Sequence, residues 1–246
     1  MIDCDTPIYR RIASRLEADI VAGRLKAGDK LPSERTMAAQ LGISRMTARQ
    51  ALRHLTNKGM LETRVGQGTY VGQPVIEQKL ATLTGFTEDM SGRGRKASSI
   101  VVQSEARKAD KICVSALSLP TNADVYRLVR IRLVDGNPIA LETTDIRADR
   151  APGLLNMADY ARDSLYQTLS RNYRIIPASA EQTLVAASAD AATAPPLKLA
   201  EGDPVLKLTR LTFDEMGNPF EFVRSVYRGD SFVMKVDLSI EQAPTQ

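Results

Sequence analysis

The sequence predicts a two-domain α+β protein, a small helical front unit followed by a larger unit of antiparallel strands with flanking helices. Three observations predict it. The 246 residues are enough for two ordinary domains, each with its own core. Apolar residues recur at helical spacing before residue 60 and mostly at strand spacing beyond it. Charge divides in the same way: residues 1–75 hold twelve Lys and Arg against seven Asp and Glu, a net of +5, and the remaining 21 basic and 22 acidic residues net −1. Excess positive charge in front suits a polyanion-binding head on a neutral body, although a solvated basic face of this size has the same signature.

In the head, residues 6–22 carry Ile8, Ile12, Leu16 and Ile20 at successive fourth positions, the stripe of an amphipathic helix facing a core, with Pro7 in its first turn. Residues 26–32 read as a turn. Ser33 then caps a short helix that ends at Leu41, where Gly42 stops it. Ser44 caps a third helix that points Ala48, Ala51, Leu52 and Leu55 inward and ends at Gly59, a residue able to take the left-handed conformation. Residues 61–64 and 69–71 are short strands joined by Val65-Gly66-Gln67-Gly68. Helices followed by such a hairpin spell a winged helix-turn-helix over residues 1–72. Residues 73–79, with Pro74, read as a linker, and residues 80–246 as the second domain.

In that second domain the expected strands are residues 99–105, 125–134, 139–146, 180–186, 205–213 and 220–227. Asp135-Gly136-Asn137-Pro138 and Glu215-Met216-Gly217-Asn218-Pro219 join two pairs of them as antiparallel hairpins. The alanine-rich residues 186–194 read as a loop entering a helix.

Composition narrows the function. With 43% hydrophobic and 25% charged residues the chain is an ordinary globular one. Cys4 and Cys113 lie too far apart in sequence to suggest a disulfide framework, no apolar run approaches the ~20 residues of a membrane span, and Asp3 and Asp5 stand where a signal peptide is basic. A cytoplasmic protein with no membrane partner is expected. No nucleophile is placed with a base, no metal-ligand spacing occurs, and Gly66-Gln67-Gly68 fits neither a Walker loop nor a dinucleotide turn, so neither an enzyme nor a cofactor or metal is expected. His54, the single histidine, falls on the third helix as a surface or interface residue. A sequence-neutral DNA-packaging protein would be basic throughout, which this body is not.

In a helix-turn-helix the second helix of the motif lies in the major groove with its first turns on base edges. Here that helix offers Arg45, Thr47, Arg49 and Gln50 behind Ser44. Arginine can bond guanine O6 and N7 together, and threonine can meet a thymine methyl or a phosphate. Arg35, one helix earlier, and Gly66, where a missing side chain lets backbone approach the duplex, complete the surface. Taken alone, each arginine is more simply a solvated helix residue; the arrangement is what is specific. Leu31-Pro32-Ser33-Glu34-Arg35, the run from Leu41 through Leu52, Gly59-Met60-Leu61 and the run from Gly66 through Val71 closely resemble the head of the GntR family of regulators. The resemblance covers residues 6–72. It implies operator contacts at Arg35, Arg45, Thr47 and Arg49 and a minor-groove contact at Gly66. Val65, before it, departs from the polar or basic residue common in relatives.

In the strand of residues 125–134, period two sets Tyr126, Leu128, Arg130 and Arg132 on one face and Val129, Ile131 and Leu133 on the other. Arg130 and Arg132 then stand ~7 Å apart, close enough to share one phosphate through charge-assisted bonds. Ser164 and Tyr166 can add hydroxyl donors, Thr87 and the backbone at Phe86 can add N–H groups, and Glu142 and Glu221 suit sugar hydroxyls or an amine. The competing reading is that both arginines pair with acidic residues on neighbouring strands.

Leu83-Thr84-Gly85-Phe86-Thr87-Glu88-Asp89-Met90, Pro138 through Glu142, Ser164-Leu165-Tyr166, Glu221 and Ser225 through Asp230 resemble the UTRA domain of the HutC subfamily, over residues 80–238. That resemblance implies a chorismate-lyase-like antiparallel sheet with flanking helices that senses a metabolite. In the amino-sugar-phosphate-sensing members, positions matching Phe86, Thr87, Arg130, Arg132, Ser164 and Tyr166 surround the phosphate, and those matching Glu142, Glu221 and Tyr227 lie near the sugar. The expected effector is N-acetylglucosamine 6-phosphate or glucosamine 6-phosphate, with another phosphosugar or a carboxylate such as urocanate as alternatives. The expected assembly is a homodimer on a pseudo-palindromic double-stranded operator, released by the effector through the linker near Pro74, with repression the commoner outcome in the family.

Overall fold

The computed structural model describes residues 6–26, 28–64, 66–72, 76–79 and 82–238. Two compact units divide between Ile76 and Glu77.

The first unit comprises helices α1 (Ile8–Val21), α2 (Glu34–Leu41) and α3 (Arg45–Asn57) and a hairpin of β1 (Leu61–Arg64) and β2 (Gly68–Val71). The caps follow from side-chain chemistry. Ser33 Oγ accepts the Thr36 amide at 3.2 Å and Ser44 Oγ the Thr47 amide at 3.0 Å, and Gly42 closes α2 in the left-handed region at φ 64°. Ala48, Ala51, Leu52 and Leu55 are buried along α3, and Ala48, Leu52 and Leu55 cluster with Ala13, Met37 and Leu61 among others. Two expectations for α1 are corrected. Pro7 precedes the helix as its cap residue rather than lying in its first turn. Ile8 is exposed, because each step of four residues turns about 40° further round the axis and three steps carry it off the stripe held by Ile12, Leu16 and Ile20.

The second unit is built on a six-stranded sheet, antiparallel throughout, in the order β4-β5-β6-β9-β8-β7. Its strands are β4 (Ala97–Lys108), β5 (Asp124–Val134), β6 (Asn137–Arg147), β7 (Pro177–Ser188), β8 (Pro204–Asp214) and β9 (Pro219–Arg228). All six lie where strands were expected and run longer, because ladder bonds carry backbone pairing past the last patterned side chain. The β5–β6 and β8–β9 hairpins meet at the β6–β9 pair, which puts β6 and β9 at the centre of the sheet.

Helices α4 (Phe86–Gly92), α5 (Lys111–Ala116) and α6 (Leu165–Tyr173) flank the sheet. Leu165 and Leu169 of α6 pack with Leu128, Ile146 and Phe220 of the strands. On the opposite face Cys113 and Leu117, from α5 and its C-cap, pack with Val125 and Phe222. That opposite face also buries Asp145, which accepts two bonds from Arg127 at 2.6 and 2.8 Å and one from Arg224 at 2.8 Å.

Two organisational expectations change. The second half of the segment read as a linker is strand β3 (Ile76–Lys79), paired with β10 (Phe232–Lys235), while Pro74 lies outside the described residues. The alanine-rich stretch holds no α-helix: β7 runs on to Ser188, a turn follows, and Pro195 opens a single 3₁₀ turn, Pro195–Leu197. Proline suits a first helical turn, but Lys198 takes the left-handed conformation at φ 55° and ψ 42°, so the helix stops there.

Candidate functional site

Strand register assembles the sheet side of a cavity in the second unit. Across β5, β6, β9 and β8 the rows Leu128–Thr144–Val223–Arg210 and Arg130–Glu142–Ser225–Leu208 run side by side, with Arg132, Ala140 and Tyr227 in the next row and Ile146, Glu221 and Thr212 in the row before. Alternate residues of a strand share a face, so Arg130 and Arg132 project together with Glu142, Glu221, Ser225 and Tyr227. Phe86 and Thr87 at the start of α4, and Ser164 and Tyr166 at the start of α6, close the other side of the cavity. All nine residues expected around an effector line it.

Inside, the arginine pair meets an acidic residue of the neighbouring strand, as the competing reading expected. Arg130 Nη2 donates to Glu142 Oε1 at 2.6 Å, and Arg132 Nε stands 3.7 Å from the same oxygen. Arg132 also donates to Ser99 Oγ at 2.9 Å, and the Phe86 ring stacks 4.3 Å from its guanidinium carbon. The arginines are therefore ion-paired across strands and line a cavity at once. The Nε and Nη1 of Arg130 and the Nε of Arg132 are buried without a hydrogen-bond partner. Unpaired buried charged donors are costly, and a ligand acceptor would relieve that cost.

Electrostatics follow from burial. Desolvation, added to by Arg130, lowers the Arg132 guanidinium to about 10. Desolvation would raise the Glu142 carboxyl, but Arg132 and Arg130 outweigh it and hold it at about 2. Glu221 is raised by burial despite accepting from Tyr166 Oη and Thr212 Oγ1, both at 2.7 Å. Burial and then Glu142 push the Tyr227 hydroxyl up to about 12.

Several expected roles are revised. The Ser164 hydroxyl caps α6 by accepting the Gln167 amide at 3.2 Å and donates to Glu88 Oε1, and the Tyr166 hydroxyl is bonded to Glu221, so neither is idle. Glu142 is first a counter-ion, and only then a candidate partner for a sugar. Sequence reasoning assigned no role to Glu88, Arg210 or Ser225, which also line the cavity. Arg210 sits on a strand whose two faces are both mixed in polarity, so alternation alone carried no signal for it.

On the first unit, Arg35, Ser44, Arg45, Arg49, Gln50 and Gly66 are exposed and Thr47 is half-buried. Glu34 gathers two of the arginines: Arg49 bonds both of its oxygens at 3.0 Å and Arg45 one at 3.3 Å. These bonds, Arg49 first, hold its carboxyl below the usual range. The Ser44 hydroxyl is engaged in its cap and with Thr47 Oγ1 at 2.8 Å, a structural duty beside the DNA contact expected of it. Gly66 turns the hairpin at φ 74°, and Val65 lies outside the described residues. His54 meets Tyr9 edge to face at 6.1 Å between ring centroids.

Residues 8–71 match the family of bacterial regulatory proteins named gntR, and residues 92–233 match the UTRA domain. The chain belongs to the GntR family. Within it, the UTRA domain marks the HutC type. The chain is 38% identical to the transcriptional repressor NagR of Bacillus subtilis, over 92% of each chain. It is 29% identical to MngR of Escherichia coli, repressor of a mannosyl-D-glycerate transport and metabolism system, over 92% of this chain and 93% of that one. The crystal structure of PhnF from Mycobacterium smegmatis superposes with a TM-score of 0.74 at 33% identity, covering 92% of this chain and 99% of PhnF. This GntR-family chain is thus a transcriptional repressor of the HutC type, a class that binds operator DNA and effector ligands, and these relatives are regulators rather than enzymes. Among the described residues, no helix is long and apolar enough to cross a membrane, and no group of three or more His, Cys, Asp or Glu could hold a metal ion.

Proposed function

We propose that this repressor is released from its operator by an amino-sugar phosphate, N-acetylglucosamine 6-phosphate or glucosamine 6-phosphate, bound in the sheet cavity. The observation that carries the reading is the set of buried guanidinium N–H groups of Arg130 and Arg132 left without partners in the cavity wall. A phosphate presents several acceptor oxygens to such a pair, with Phe86 and Thr87 closing over it. Glu221 and the free oxygen of Glu142, with Tyr227, offer acceptors and a ring to the sugar. The 38% identity to NagR supports the amino sugar. The second reading is a carboxylate-bearing sugar, favoured by the kinship with MngR, the repressor of a mannosyl-D-glycerate system.

On the DNA side, Arg35, Arg45, Thr47, Arg49 and Gln50 read and grip the major groove from α2 and α3, Ser44 holds the helix start against a phosphate, and Gly66 enters the minor groove. Two copies form a homodimer whose heads take the halves of a pseudo-palindrome. The effector lowers operator affinity because it binds better to an arrangement of heads that mismatches the operator; a hundredfold loss requires about 2.7 kcal/mol of such preference.

The test is thermal stabilisation of the full chain by N-acetylglucosamine 6-phosphate, glucosamine 6-phosphate, glucose 6-phosphate and mannosyl-D-glycerate, followed by gel shifts with the upstream region of its own gene. An amino-sugar phosphate should stabilise the protein most and dissolve the DNA complex. Equal stabilisation by glucose 6-phosphate, or a DNA complex indifferent to every compound, overturns the reading.

A further inference from the structure

Six charged side chains line the cavity in balance: Arg130, Arg132 and Arg210 against Glu88, Glu142 and Glu221. A phosphate monoester carries about −1.5 to −2 charges into this space, which leaves it overloaded unless a carboxylate withdraws or is neutralised. The three carboxylates are not held alike. Glu142 sits on a central strand and bonds Arg130 at 2.6 Å. Glu221 sits on the other central strand and accepts two hydroxyls at 2.7 Å. Glu88 hangs from the short helix α4 by one hydroxyl, that of Ser164, and its second oxygen is buried with no partner.

The seat of that second oxygen exists because residue 85 has no side chain: a Cβ on Gly85 would stand 2.1 Å from it. The Gly85 backbone, at φ −68° and ψ 155°, is open to any residue, so the glycine makes room for the carboxylate, and for the Tyr166 ring that a Cβ would meet at 3.3 Å, rather than for the chain path. Nothing else in the cavity combines a loosely held charge with a seat shaped for it.

We propose that Glu88 is a resident anion that competes with the effector's phosphate, so that the phosphate takes over the Ser164 hydroxyl and the guanidinium N–H groups as the Glu88 side chain swings out of the seat at Gly85. This rests on reading the cavity as a site for an anionic effector. Glu88 thereby sets the threshold concentration of the effector, and the first turn of α4 is the part of the unit that yields when the anion enters.

The test is calorimetric titration of the full chain with inorganic phosphate and with N-acetylglucosamine 6-phosphate, in wild type, Glu88→Gln and Gly85→Ala. Glutamine keeps an acceptor for Ser164 without the charge; alanine leaves the charge and fills its seat. Both variants should bind inorganic phosphate at least about tenfold more tightly than wild type, equivalent to about 1.4 kcal/mol. Should Glu88→Gln fail to fold, Gly85→Ala carries the test alone. Unchanged or weaker phosphate binding overturns the proposal, since Glu88 is then a bystander or a ligand. If the variants tighten on inorganic phosphate but the amino-sugar phosphate binds no better than inorganic phosphate, the role of Glu88 stands and the amino-sugar reading falls.

Discussion

Glu142→Gln removes the carboxylate that faces two buried guanidiniums while changing almost no volume. The Arg130, Arg132 and Glu142 side chains are 3%, 7% and 10% exposed, so water cannot take over the lost charge. Breaking a buried pair by removing one partner costs about 3–5 kcal/mol. In a unit of about 170 residues each kcal/mol lowers Tm by roughly 2–4 °C, so the variant should melt roughly 6–20 °C below wild type. Inorganic phosphate, supplying the missing negative charge, should recover more of that loss in the variant than it adds to wild type. Titration gives an independent reading of the same interaction. The Glu142 carboxyl is held at about 2 against its ordinary 4.5, so its stabilising contribution is complete above pH 4.5 and is lost as pH falls toward 2. Glu142→Gln should lack this component and unfold less steeply across that window. Calorimetric melts at pH 7 and a circular-dichroism acid titration measure both. A loss under about 1 kcal/mol at pH 7, with wild-type steepness in acid, would refute the argument that this pair is a buried, mutually dependent set.

Arg45→Ala should cut discrimination between operator and random DNA by about 1–3 kcal/mol in anisotropy titrations while leaving the melt unchanged, because the side chain is 67% exposed; undiminished discrimination would remove α3 as the reading helix. Arg132→Lys should weaken N-acetylglucosamine 6-phosphate binding at least about tenfold in calorimetry although charge is kept, since lysine has no planar fork to lie along Phe86 and share a phosphate; full binding by the lysine variant would mean that only charge matters there. Gly66→Ala forces a side chain into φ 74°, at a cost of about 1–2 kcal/mol, and should weaken DNA binding while leaving effector affinity alone; weakened effector binding would show that the substitution unsettles more than the wing.

Sequence carried the head nearly whole, because each boundary there is set locally. Ser33, Ser44, Gly42 and Gly59 act on their own helix ends, and α3 buries the four residues its periodicity names. In the body, alternation located six strands and put Arg130 and Arg132 on one face. It could not give strand order, and order is what sets Glu142 between Arg130 and Ser225 and brings Arg210 into the same wall. Side-chain partnership was the least legible layer. Ser164 with Glu88 and Tyr166 with Glu221 are 76 and 55 residues apart, and no local rule connects them. Ile8 shows the converse limit, a patterned residue left in solvent because a helix turns beneath its own stripe.

The rows of residues across β5, β6, β9 and β8 also govern how such a regulator can change its diet. Each wall position is one codon on a stiff ladder, so exchanging a residue such as Ser225 or Leu208 alters what the pocket accepts and leaves its neighbours standing. Adding or deleting a single residue of β5 ahead of Arg130 would instead turn both arginines toward the face that buries Asp145, abolishing recognition in one step. New specificities in this architecture are therefore reached by spelling changes rather than by changes in length.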